Sequence, residues 1–242
     1  MGNVLGLPDN IQACLFDLDG VLTDTAVVHR KAWAAAFDPV LSEHGQPPFS
    51  EQDYNDYVDG KPRLDGVRDL LAARGIDLPE GGPDDDPGTG SVQAIARRKN
   101  DDVLRRIKAD GVPVFEGSRR YLQAAADAGL RRVVVSSSAN TKDVLEVTGL
   151  AEFIEDRVDG VTLDDQHLAG KPAPDSFLAG ARLLDLPPDA AAVFEDATAG
   201  VEAGHRGKFG YVVGVNRLDD EHGKALREHG ADVVVTDLAE LL

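Results

Sequence analysis

One cysteine, Cys14, is the whole thiol content of this chain, so no intramolecular disulfide can form. It lies in an apolar run just before Asp17, where a buried, inert thiol is expected. Long apolar runs are missing as well. Val133–Val135 and Ala190–Phe194 fall far short of the roughly 20 residues that a membrane-spanning helix needs. Residues 1–12 have no basic start followed by a long apolar stretch, so they do not read as a secretion signal, and the cytoplasm is the expected location. Positive charge is also scarce: 25 Lys and Arg face 43 Asp and Glu, a net charge of −18. That balance argues against non-specific binding of nucleic acid or anionic membrane, both of which need clustered basic residues. It also sets a condition on any phosphate site, which must bring its own local cation or metal.

What remains is ordinary globular material, 42% hydrophobic and 28% charged. A length of 242 residues suits a core domain plus a smaller one. Short apolar runs ending at polar residues predict strands at Ala13–Phe16, Arg132–Val135, Ala191–Phe194, Tyr211–Val215 and Asp232–Val235. Continuous rather than alternating runs mean strands covered on both faces, hence a parallel sheet between helices. The intervening patterns predict helices over Gly117–Ala128, Thr141–Thr148, Asp175–Leu184, Thr198–His205 and Asp219–His229. Strand and helix in alternation give a doubly wound α/β core.

Residues 25–110 break this rhythm with helical patterns only: Thr25–Glu43, Ser50–Val58, Pro62–Arg74 and Ser91–Lys108. Ser50 and Ser91 read as N-caps and Pro62 as a first helical residue. Between the last two helices, Pro79–Gly90 is rich in Gly, Pro and Asp and reads as a solvated loop. The predicted organisation is therefore an α/β core of residues 1–24 and 111–242, with a helical domain of residues 25–110 inserted after the first strand.

Ligands of open α/β sheets gather outside the carboxyl ends of the strands. Those ends present Asp17-Leu18-Asp19-Gly20, then Ser136-Ser137-Ser138, then Glu195-Asp196, with Lys171 in a loop before Pro172. Carboxylates, hydroxyls and one ammonium suit phosphoryl transfer. Asp17 can attack phosphorus to form an acyl phosphate, and Asp19 can protonate the leaving oxygen. Gly20 permits a sharp turn there. Carboxylates beside an anionic phosphate repel it, so a hard cation with oxygen ligands is required, and magnesium fits. Each piece alone has a plainer explanation: Asp-x-Asp-Gly occurs in turns, Glu195-Asp196 can cap the helix at Thr198, and Ser136–Ser138 can cap the next one. Their convergence at strand ends is what points to a site.

The stretches Asp17-Leu-Asp-Gly-Val-Leu-Thr-Asp-Thr, Val-Ser136-Ser-Ser-Ala-Asn140, Gly-Lys171-Pro-Ala-Pro-Asp and Phe-Glu195-Asp-Ala-Thr-Ala-Gly resemble the four motifs of the haloacid-dehalogenase-like hydrolase superfamily. Within it the β-phosphoglucomutase-like subgroup is the best match. The resemblance implies a Rossmann-like core with a small helical cap, an aspartyl-phosphate on Asp17, and acid/base duty for Asp19. It implies magnesium held by Asp17, Asp196 and the backbone carbonyl of Asp19, with Glu195 close by. Ser136 and Lys171 would bind the transferring phosphoryl group. Thr25, His29 and Trp33 match positions after the first motif, and Gly60, Arg63, Lys99 and Asn100 match substrate-facing cap positions. Ser138 and Asn140 match core positions for the non-reacting phosphate.

The chain departs from that pattern in places. Asp59 and Ala139 stand where lysines are usual, Ser137 replaces a small apolar residue, and Gly66 replaces a serine. The reaction implied is mutase chemistry on a β-glucose phosphate, with a small sugar-phosphate phosphatase as the alternative. An idle sugar-phosphate sensor would have no use for Asp19. The expected partner is a small phosphorylated sugar, and the expected state a monomer.

Overall fold

Ala13-Cys14-Leu15-Phe16 is an unbroken apolar run, and in the computed structural model, which describes residues 4–88 and 90–242, it forms the fully buried strand β1. The chain divides into two compact units, one made of residues up to Asp24 and from Val112 onward, the other of Thr25–Gly111.

The Thr25–Gly111 unit contains α1 (Ala26–Glu43), the short α2 (Glu51–Asp53) running into a π turn at Tyr54–Val58, α3 (Arg63–Ala73) and α4 (Val92–Asp110). Ser50 and Ser91 are N-caps as expected, each hydroxyl accepting from the backbone N–H three residues on. Pro62 is not the first helical residue. Its ψ of 140° is extended, and Arg63 begins the helix. Trp33, Phe37, Val58, Leu70 and Ile95 close a core inside this unit. Trp33 stacks on Phe37 and Phe37 on Phe49, with ring centroids 5.3 and 5.5 Å apart.

The other unit continues with α5 (Glu116–Asp127), β2 (Arg131–Val135), α6 (Thr141–Thr148), β3 (Asp156–Val158) and α7 (Gly160–Gln166). Then follow α8 (Asp175–Leu183), β4 (Ala191–Glu195), α9 (Thr198–Arg206), β5 (Tyr211–Val215), α10 (Asp220–Glu228) and β6 (Val233–Val235). The six strands form one sheet in the order β3-β2-β1-β4-β5-β6, and every neighbouring pair is parallel. Two elements here were not anticipated, β3 and α7. β3 is a three-residue edge strand, Asp-Arg-Val, with no apolar run to reveal it.

Phe16 lies in register with Val134 on one side and Phe194 on the other. Its ring stacks on Phe194 at 4.5 Å and meets Tyr121 edge-on, whereas Leu15 points to the opposite face with Val133, Val193 and Phe177. Both faces of β1 are thus filled, as its continuous apolar run requires. Cys14 is fully buried, and that burial pushes its thiol far up, so it stays unreactive. The chain leaves β1 toward β2 on one side, while β4 lies on the other. The strand order therefore reverses at β1, and the crevice beyond β1 and β4 is where such sheets bind ligands. No helix of the described residues is long and apolar enough to cross a membrane.

Candidate active site

Asp17 is the first residue beyond β1, and its N–H donates to the Phe194 carbonyl at 2.9 Å, so the ladder extends one step and fixes its backbone. Glu195 closes β4 beside it. Both carboxylates are buried, and Lys171 Nζ bridges them, donating to Asp17 Oδ1 at 2.5 Å and to Glu195 Oε1 at 2.6 Å. The third ammonium contact is the Val135 carbonyl at the end of β2, 3.3 Å away, and the Phe177 ring lies 4.9 Å beneath. Glu195 Oε2 accepts from the Ala197 N–H at 2.9 Å. That bond fixes the backbone of Ala197, the residue before α9, and reaches none of the first-turn N–H groups, so Glu195 is not a helix cap; its other oxygen orients Lys171. A Cβ at Gly200 would overlap this carboxylate, so α9 approaches Glu195 over a bare glycine.

Burial raises the Asp17 carboxyl well above the usual carboxylate range. Lys171 pulls it down, but Glu195 and Asp19 push it up again. Burial lowers the Lys171 ammonium, yet the two carboxylates outweigh that and raise it above the ordinary lysine range. The lysine is a fixed cation. One ammonium cannot neutralise the acids around it: oxygens of Asp17, Glu195 and Asp196 all lie within 4.8 Å of one another. An all-oxygen donor set with surplus negative charge fits a hard divalent cation.

Gly20 has φ +84°, and its N–H donates to the Thr23 carbonyl at 2.8 Å, closing the turn that carries Asp19. A Cβ at Gly20 would overlap the Asp196 carboxylate. The turn after β1 thus rests directly on the turn after β4. Ser136, beyond β2, is buried, and its Oγ accepts from the Ser138 N–H at 3.1 Å; Ser138 Oγ in turn accepts from the Asn140 N–H at 3.2 Å. Gly160 donates its N–H to the Ser138 carbonyl at 3.0 Å and leaves no room for a side chain against that loop.

In the helical unit, Lys99 Nζ and His29 Nδ1 stand 3.0 Å apart, and the same ammonium lies 5.0 Å over the Trp33 ring. An ammonium can only donate, so Nδ1 is the acceptor. Trp33 itself is built into the packing of this unit. Arg63, at the start of α3, donates from Nη1 to Asn100 Oδ1 at 2.6 Å. Thr25 is buried immediately before α1, and Gly60 stands at φ +69° before α3. Two side-chain sets are thus assembled within this unit, His29 with Trp33 and Lys99, and Arg63 with Asn100.

A family model described as haloacid dehalogenase-like hydrolase matches residues 11–207. The chain belongs to the haloacid dehalogenase-like hydrolases. As a member of this enzyme family it is 58% identical over 247 residues to a β-phosphoglucomutase of Mycobacterium tuberculosis, covering 99% of this chain and 94% of that protein. A β-phosphoglucomutase of Bacillus subtilis is 31% identical, covering 96% and 92%. A crystal structure of β-phosphoglucomutase from Clostridium difficile shares the fold at a TM-score of 0.77, with 23% identity over 96% of this chain and 93% of that one. The likeness to the β-phosphoglucomutase subgroup, read from the motifs, holds over the full length of this haloacid dehalogenase-like chain. Two partners of Lys171 escaped the motifs. The Val135 carbonyl has no residue signature, and Phe177 is one of eight phenylalanines in the sequence.

Proposed function

We propose that this haloacid dehalogenase-like enzyme is a β-phosphoglucomutase, moving phosphate between C1 and C6 of a β-glucose phosphate. The observation that carries the reading is 58% identity to a β-phosphoglucomutase along 99% of the chain. The chemistry of the buried Asp17, Lys171 and Glu195 cluster supports it.

In this reading an Asp17 carboxylate oxygen attacks phosphorus. The new O–P bond forms as the bond to the sugar oxygen breaks, and Asp19 gives that oxygen its proton. In the other half, Asp19 removes a proton from the C6 hydroxyl of β-glucose 1-phosphate, which attacks the phosphoryl group on Asp17 and frees that carboxylate. The bisphosphate so formed turns round and gives up its C1 phosphate, leaving glucose 6-phosphate. Lys171 holds a positive charge beside the nucleophile throughout, anchored by Glu195. Ser136 donates its hydroxyl hydrogen to a phosphoryl oxygen. Asp17 and Asp196, the Asp19 carbonyl and the nearby Glu195 would hold magnesium. Bound there, it would offset the repulsion between carboxylates and phosphate.

The Thr25–Gly111 unit is assigned as the cap domain. Arg63, Lys99, Asn100, Thr25, His29 and Gly60 are its assigned substrate contacts, with Ser138 and Asn140 added from the core. Arg63 is the strongest of these, because a guanidinium grips phosphate through two donors. The assigned partner is a small phosphosugar, and the assigned location the cytoplasm.

Phosphorus NMR of the product mixture tests the function. β-Glucose 1-phosphate with catalytic glucose 1,6-bisphosphate and magnesium should yield glucose 6-phosphate. Stoichiometric free phosphate without glucose 6-phosphate would make the enzyme a phosphatase.

A further inference from the structure

The two turns that carry the acidic cluster are both gripped by one short segment, the link from β5 into α10. Arg217 lies two residues beyond β5. Its Nε donates to the Gly20 carbonyl at 2.7 Å and its Nη2 to the Val21 carbonyl at 3.4 Å, so the guanidinium spans the turn that follows Asp19. The other arm, Nη1, donates to the Thr236 carbonyl at 2.7 Å, and the guanidinium plane stacks 3.6 Å from the Phe115 ring centre. Five residues on, His222 Nε2 lies 2.8 Å from the Asp196 carbonyl oxygen. A carbonyl can only accept, so Nε2 carries the hydrogen.

The segment between them is itself tied down. Asp219 caps α10 by accepting from the His222 N–H at 2.9 Å, Asn216 Nδ2 donates to the Asp219 carbonyl at 2.8 Å, and the Leu218 N–H donates to Asn216 Oδ1 at 3.1 Å. These bonds fix the spacing between Arg217 and His222. The turns they hold touch each other, because the Asp196 carboxylate fills the space that a side chain at Gly20 would need.

We propose that Arg217 and His222 are positioning residues that hold the Asp19-Gly20 turn and the Asp196 turn at the separation the magnesium site needs. Neither touches the reacting atoms. Both act through backbone carbonyls, one on each side of the acidic cluster. Outer partners of this kind are worth about 10–100-fold in metal affinity when removed, since they set where the ligands stand before the ion arrives. The inference rests on the magnesium reading above.

Isothermal titration of the full chain with magnesium chloride separates the two. Wild-type protein should take up one magnesium ion. His222→Ala and Arg217→Met should weaken that binding by about 10–100-fold. His222→Gln places an amide donor where Nε2 stands, and should stay within about threefold of wild type. His222 is only half-buried, so its truncation leaves the fold in place, which circular dichroism checks. Should Arg217→Met fail to fold, Arg217→Lys, which keeps one donor, should still bind magnesium about tenfold more weakly than wild type. Magnesium uptake by wild type, matched by His222→Ala and the Arg217 variant, would overturn the inference alone. So would His222→Gln binding as weakly as His222→Ala, because the hydrogen bond would then not be the device. Wild-type protein that takes up no magnesium would overturn both readings.

Discussion

Lys171 Nζ stands 2.5 Å from Asp17 Oδ1 across 154 residues of chain, with 1% and 9% of the two side chains exposed. Desolvating such a pair costs more than its attraction returns unless further bonds satisfy it. Here Glu195 and the Val135 carbonyl complete the ammonium shell. A pair of this kind is a poor device for stability and a good one for placing charge at a reacting centre.

Lys171→Met should therefore do two separable things. Turnover should fall by roughly 10²–10³-fold, the usual worth of a fixed electrostatic donor. Stability should fall by about 3–5 kcal/mol, because two buried carboxylates then face each other without a cation. Adding Glu195→Gln to Lys171→Met should restore part of the stability, read by urea unfolding, without restoring turnover. Recovery of both together would show that the lysine serves only the fold.

Gly200 gives a prediction with an unexpected sign. Alanine in a helix interior normally gains about 1 kcal/mol over glycine. In α9, however, the new methyl would occupy the place of the Glu195 carboxylate. Gly200→Ala should lower the melting temperature and impair turnover together, since Glu195 must turn away from Lys171. A rise in melting temperature with full activity would show that Glu195 can be spared its present position.

Much of this architecture was legible in the sequence because buried parallel strands write continuous apolar runs. β1 and β4 are such runs, and Asp17 and Glu195 follow from where the runs stop. β3 was not legible, since a three-residue charged edge has no run to read. Lys171 could be picked out by its motif, but its bridge to Glu195 could not, because pairing between distant loops leaves no local spacing. Arg217 and His222 were invisible for a further reason: their partners are main-chain carbonyls, which every residue has.

Within the helical unit, Asp53 provides a pH test. Burial raises its carboxyl, but hydrogen bonds from Arg74 and Ser50 outweigh burial and hold it below the usual range. Arg74 Nη2 donates to Asp53 Oδ2 at 2.5 Å, and the Ser50 N–H donates to the same oxygen at 2.8 Å. A depressed carboxyl contributes stability that is present above its unfolded pKa, near about 3.9, and is lost as pH falls through the folded value. Melting temperatures from pH 7 to pH 3 should drop at the acid end in wild type. Asp53→Asn should start lower at pH 7 and fall less steeply. Parallel curves for the two proteins would show that Asp53 contributes nothing to the acid limb.

Arg63 decides between the mutase and a phosphatase. A phosphatase holds one phosphate while water finishes the reaction. A mutase must bind a bisphosphate in two orientations, so it needs a second grip that serves either end of the sugar. In the proposed reading Arg63 supplies that grip; its Nη1 donates to Asn100 Oδ1 at 2.6 Å, which orients the guanidinium. Truncating it should leave attack by Asp17 on a small acyl phosphate intact while weakening the hold on a sugar phosphate. Arg63→Ala should accordingly reduce conversion of β-glucose 1-phosphate to glucose 6-phosphate by about tenfold or more, given that a lost charge-assisted bond is worth about 1.5–3 kcal/mol. Hydrolysis of acetyl phosphate, measured as free phosphate released, should change by less than about twofold, since that acyl phosphate has no second phosphate to hold. If both rates fall together, Arg63 serves the fold or the chemistry itself. If neither falls, the second phosphate is held elsewhere.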